Sequence, residues 1–108
     1  MEDRPRPIHS ALGEDPSLAA AIEGFVVGLA ERVDELQDCE AQGALGRLAE
    51  RAADLAAEAM RAGYGPLAEW AEAVRRSSLE RNAQDARKAL LELTEVAYRV
   101  RLGHRGAV

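Results

Sequence analysis

The stretch Arg47–Leu67, RLAERAADLAAEAMRAGYGPL, decides how this chain folds. Leu48, Ala52, Leu55 and Ala59 recur at steps of three and four, the period of one helix face, and Leu45 extends the line backwards. Alanine fills much of the rest and enters a helix at no side-chain entropy cost. Gly63 can take the left-handed conformation that closes a helix C-terminus. Pro66 suits a first helical turn, where its missing amide is not needed. The stretch therefore predicts a helix from about Ala44 to Ala62, a turn at Gly63-Tyr64-Gly65, and a new helix from Pro66.

The pattern repeats on both sides. Upstream, Asp15-Pro16 reads as an N-cap and first helical residue. The helix that follows, to about Glu40, carries a seam of Leu18, Ile22, Phe25, Leu29, Val33 and Leu36, widened by Val26. Gly24 and Gly28 lie one turn apart on it; they either admit a close neighbour or are surface glycines that the helix tolerates. Gly43 marks the break before the second helix. Downstream, the third helix runs to about Ser78 and turns Leu67, Trp70, Ala71 and Val74 inward. Asn82 caps a fourth that reaches about Leu102, with Ala86, Leu90, Leu93, Ala97 and Val100 as its seam and Leu91, Val96 and Tyr98 beside it. Ile8 and Leu12 are expected to pack onto one end of the helices. No strand pattern is present. The expectation is an all-α fold, an antiparallel up-and-down four-helix bundle with a short N-terminal lead-in segment. Residues 1–7 read as a flexible arm, 8–102 as the bundle and 103–108 as a flexible tail.

The totals narrow the function. A chain of 108 residues holds one domain. Its residues are 47% hydrophobic but only 4% aromatic, so the core should be thin and built on leucine and valine. The net charge of −5 with both signs interspersed gives no basic face for a nucleic acid. The single cysteine, Cys39, excludes an internal disulfide and suits a reducing, cytoplasmic setting. No apolar run is long enough to span a membrane. A thin core in a small protein makes a homodimer plausible, through an alanine-rich face using Gly24 and Gly28.

Catalytic chemistry is sought and not found. Metal centres in bundles need inward glutamates with Glu-x-x-His pairs. The two histidines, His9 and His104, fall outside the expected helices, so no metal and no cofactor are expected. Cys39 reads as an incidental thiol. Glu31 and Glu35 read as solvated charges. The second helix turns Arg47, Glu50, Arg51, Asp54, Glu58 and Arg61 away from its seam. Glu50, Asp54 and Glu58 align at steps of four, and arginines at steps of three can offset them. Such a surface is either an ordinary solvated face or a docking surface for another protein.

Two segments resemble a known family. PIHSALGEDPSLAAAIEGFVVGLAERVDEL (Pro7–Leu36) and LGRLAERAADLAAEAMRAGYGPLAE (Leu45–Glu69) look like a histidine-containing phosphotransfer (HPt) domain. The family's D-P-x-L helix start falls on Asp15–Leu18, its F-V-x-x-L-x-E-R-V on Phe25–Val33, and its G-Y-G turn on Gly63–Gly65. The resemblance covers roughly Pro7 to Leu102. Its second-helix motif, R-L-A-H-x-L-K-G, is broken here. Matching R-L-A to Arg47–Ala49 puts the phosphoacceptor histidine on Glu50, the lysine on Ala53 and the glycine on Asp54. Matching the G-Y-G turn instead puts them on Leu55, Glu58 and Ala59. Neither register supplies any of the three. The resemblance thus implies a protein that is no enzyme and relays no phosphate. Its expected partner is a receiver domain of a response regulator or a histidine kinase. That partner would dock over Glu50, Arg51, Asp54 and Glu58, with Arg75 and Arg76 at the rim. The alternative is a structural bundle that self-associates.

Overall fold

The structure, a computed structural model, describes residues 5–105. Among these there are four α-helices and no strand: α1 (Ala19–Ala41), α2 (Leu45–Arg61), α3 (Gly65–Leu79) and α4 (Ala83–Arg105). They form the antiparallel four-helix bundle expected from the sequence, in which α1 and α3 each pack against both α2 and α4. The molecule measures 40 × 38 × 19 Å. Its thin dimension holds about two layers of helices at the usual 8–10 Å spacing, so every helix keeps one side in water.

The helix ends follow from local chemistry. The Asp15 carboxylate accepts hydrogen bonds from the Ser17 hydroxyl and amide at 2.7 and 3.0 Å, which hold its carboxyl below the usual range. It caps a 3-10 turn, Pro16–Leu18, that leads into α1. Asn82 caps α4 by accepting from the Asp85 amide at 3.0 Å. The three connections share one closure. After α1, Gly43 and Ala44 donate to the carbonyls of Glu40 and Cys39; after α2, Gly63 and Tyr64 donate to Met60 and Ala59; after α3, Arg81 and Asn82 donate to Ser78 and Ser77. Each is a Schellman motif, which needs a left-handed residue at its corner. Gly43 (φ 69°) and Gly63 (φ 85°) meet that need without strain, but the third corner is Arg81 at φ 60°. Arg81→Gly is therefore expected to stabilise the protein by about 0.5–1 kcal/mol, with the relieved strain outweighing the added freedom of the unfolded chain. Urea unfolding checks this; a loss of stability would mean that the Arg81 side chain contributes more than its backbone costs.

The core is the seam read from the sequence. Leu29, Leu36, Leu48, Leu55, Leu67, Val74, Leu93 and Val100 are each under 2% exposed, with Ala52, Ala59, Ala71 and Ala86 fully enclosed between them. Seven positions differ from expectation. Val26 belongs to the seam itself. Leu18, Phe25, Leu45 and Trp70 are only partly buried. Leu91 and Tyr98 are 64% and 46% exposed, because they sit a quarter-turn or more beyond the arc of α4 that faces its neighbours. The turn residue Tyr64, by contrast, is 2% exposed and stacks on Phe25 with ring centroids 5.8 Å apart. Burial raises its phenol pKa.

The lead-in is anchored by backbone. The Ile8 amide donates to the Arg99 carbonyl and the Ala11 amide to the Gly63 carbonyl. The Ser10 hydroxyl donates to the Ala62 carbonyl at 2.5 Å, and Arg99 Nε donates to the Arg6 carbonyl at 2.8 Å. Ile8 packs on the core as expected, whereas Leu12 stays 38% exposed. The segment thus straps the α2–α3 turn to the end of α4. A tail was expected from Gly103, but α4 continues through Arg105 and Gly103 is buried under the strap. The outer parts of the arm and tail, residues 1–4 and 106–108, lie outside the described residues. A Cβ on Gly103 would collide with the backbone of Ile8. Gly103→Ala is expected to free the strap and lower stability by about 1–2 kcal/mol, although helix propensity alone predicts a gain of about 1 kcal/mol. Thermal melting and hydrogen exchange at Ile8 and Ala11 separate the two signs.

Candidate functional site

The outward line of α2 is Arg47, Glu50, Asp54, Ala57 and Arg61, all exposed. Steps of three and four keep them on one ridge, opposite the buried Leu48, Ala52, Leu55 and Ala59. Among the described residues no ion pair engages Glu50 or Asp54.

The flank of this ridge toward α1 is polar. Arg51 Nε meets Glu35 Oε2 at 2.9 Å, and Arg32 Nη2 donates to Glu58 Oε2. Arg51 and Glu58 therefore reach across to α1 rather than balancing charges within α2. All four side chains are a third to a half exposed, so each pair is worth about 0–1 kcal/mol. Between them lies a cleft of about 60 Å³ lined by Arg32, Glu35, Arg51, Asp54 and Leu55. Arg32 Nη1 is buried without a hydrogen-bond partner among the described residues. A cleft of that size admits water to such a donor.

The flank toward α3 is apolar. A trough of about 700 Å³ runs between the two helices. Its floor and α2 wall are Ala53, Ala56, Ala57 and Met60, and Trp70 and Ala73 line it from α3. Met60 is 64% exposed. Glu69, Glu72 and Arg76 edge it. Arg76 stands on the far edge of this trough. Arg75 instead turns back on its own helix, with Nε and Nη2 at 2.8–3.0 Å from the Glu72 carboxylate. That contact lowers the Glu72 pKa and raises the Arg75 pKa. The structure therefore gathers Glu50 and Asp54 on the ridge, Arg51 and Glu58 on its polar flank and Arg76 across the trough. The sequence reading missed the trough; the exposed Met60 on an otherwise alanine flank was the available signal.

The two registers of the second-helix motif lead to different surfaces. Glu50 is exposed on the ridge, whereas Leu55 is 1% exposed and faces the core. Of the histidines, His9 is exposed in the lead-in. His104, expected outside the helices, stands on the last turn of α4 with Arg101 in a shallow cleft of about 210 Å³ over Val26, Val27 and Ala30. No group of three or more metal-ligating side chains occurs among the described residues. No helix there is long and apolar enough to cross a membrane. Comparison with protein-family models, with curated proteins and with solved structures returns no match.

Proposed function

We propose that this chain is a histidine-containing phosphotransfer-like protein of two-component signalling that has lost its phosphoacceptor. It binds a receiver domain or a histidine kinase and accepts no phosphate. The observation that carries this reading is the place of Glu50. The family motif needs its reacting side chain on the outside of the second helix, and only the register ending at Glu50 keeps that position in solvent. The family's imidazole attacks an aspartyl phosphate as a nucleophile. A carboxylate at that point repels the incoming phosphoryl group, and an acyl phosphate formed there would hydrolyse readily. The motif's lysine, which would steady the phosphoryl charge, is replaced by Ala53 on the trough wall. Its glycine is replaced by the anionic Asp54, exposed on the ridge.

Such a protein occupies a receiver without draining its phosphate, as a competitor or as an adapter. The proposed setting is the cytoplasm, in keeping with one buried, unpaired cysteine. Titrating the protein into a panel of isolated receiver and kinase domains, followed by calorimetry, tests the reading. Saturable binding to at least one is expected. Failure to bind any of them would remove it.

The alternative, a self-associating structural module, was expected to use Gly24 and Gly28. Nothing in the chain lies within 4 Å of a Cβ built on either residue. Neither glycine makes room for another helix of this bundle, so both remain open on the surface of α1.

A further inference from the structure

The lead-in segment is bound differently from everything else in the molecule. We propose that it is a latch: residues 6–12 lift off the bundle and reseat as one unit while the four helices stay folded.

Few groups seat the strap. Of residues 5–14 only Ile8 and Ser10 are partly buried, and the rest are exposed. Ile8 packs on the core, but among the described residues no fully buried core side chain comes from this segment. Lifting it therefore leaves the seams of the four helices closed. What holds it is hydrogen bonding at the surface. The Ile8 amide reaches the Arg99 carbonyl, the Ser10 hydroxyl that of Ala62, and the Ala11 amide that of Gly63. Ala62 and Gly63 follow the last residue of α2, where carbonyls lack helical partners, so the strap caps that helix from outside. A segment with little apolar burial and exposed backbone bonds belongs to the part of a structure that opens first.

The two ends of the strap are bound to move together. A Cβ on Gly63 would meet Ser10 Oγ and Leu12, and one on Gly103 would meet the Ile8 backbone, so both ends lie hard against glycine. Ile8 and Ala11 are separated by three residue steps, about 10 Å of chain at most. Between and beyond them the chain is stiffened by a turn, in which Leu12 donates to Ser10 Oγ and Gly13 to the Ser10 carbonyl. One end has no slack to leave while the other stays. The last turn of α2 carries Arg61, at the end of the ridge, so the latch ties the N-terminal segment to the surface assigned above to docking. Its opening does not depend on that assignment.

Amide hydrogen exchange of the full chain, followed by NMR, tests the latch. Ile8 and Ala11 should share one protection factor, about tenfold or more below those of Leu29 and Leu93 in the core. Ser10→Ala, which removes only the bond to Ala62, should speed exchange at Ile8 and Ala11 alike, by about three- to tenfold. Gly43→Ala supplies the control. Gly43 closes α1 with the same left-handed backbone as Gly63, but nothing lies within 4 Å of a Cβ built on it. That change destabilises the latched and unlatched bundle equally, so it should speed exchange in the core and leave the strap pair unchanged. Urea below the unfolding transition makes the same distinction without a substitution, because lifting the strap exposes little surface. A strap pair that follows the core in Gly43→Ala or in urea overturns the proposal, since the strap then leaves only on global unfolding. So does an effect of Ser10→Ala confined to Ala11, or a wild type in which either amide is unprotected.

Discussion

Leu90→Ala should lower the unfolding free energy by about 2–5 kcal/mol. Leu90 is 4% exposed in the seam of α4, and its removal leaves a cavity among leucines and valines already at full packing. Against a total stability of about 5–15 kcal/mol, that loss brings the protein near its unfolding threshold. The effect should be this large because the core is thin. Much of it is alanine, which buries little area, so a few leucines provide a disproportionate share of the apolar burial. Phe25→Ala should cost less than Leu90→Ala. Phe25 is only partly buried and loses mainly its stacking on Tyr64. Urea unfolding of the two variants checks both size and order; wild-type melting for Leu90→Ala would contradict the seam assigned to α4.

The second large effect is on binding. Replacing Glu50 and Asp54 together by arginine should reduce partner affinity about 100-fold or more while changing stability by no more than about 0.5 kcal/mol. Both residues are exposed and free of ion pairs among the described residues, so the fold does not depend on them. The double change also joins Arg47 and Arg61 into one basic ridge, reversing the field that an approaching partner meets. Calorimetry against the receiver or kinase bound by the wild type measures the change. Unchanged affinity would move the docking surface off the ridge.

How far the sequence could be read depended on what each residue answers to. Helix faces answer to spacing, and Ile22, Leu29, Val33 and Leu36 of α1 and the core of α4 were legible from it, whereas Phe25 and Val26 exchange the places expected of them. Capping answers to local chemistry, and Asp15, Gly63 and Asn82 were legible in the same way. Leu91 and Tyr98 were misread because spacing marks an apolar stripe but not its width; the width depends on how closely the neighbouring helices approach. Arg81 carries no sign of its left-handed backbone, since the closure of α3 imposes that conformation from outside the residue. The strap of Ile8 over Gly103 and of Ser10 over Ala62 and Gly63 joins distant parts of the chain, which no local pattern reveals. At the candidate site, the outward positions of Glu50 and Asp54 followed from periodicity. The pairing of Arg51 with Glu35 and of Glu58 with Arg32 did not, because it needs α1 beside α2. The trough was hidden for the same reason: alanines on two helices become one surface only when the helices lie side by side.

The claim on which the functional reading rests is recognition without phosphate transfer. Incubating the protein with a receiver domain carrying radiolabelled aspartyl phosphate tests it directly. The account predicts a stable complex with all of the label still on the receiver. Label appearing on this chain as an acid-labile phosphohistidine, at His104 or His9, would contradict it.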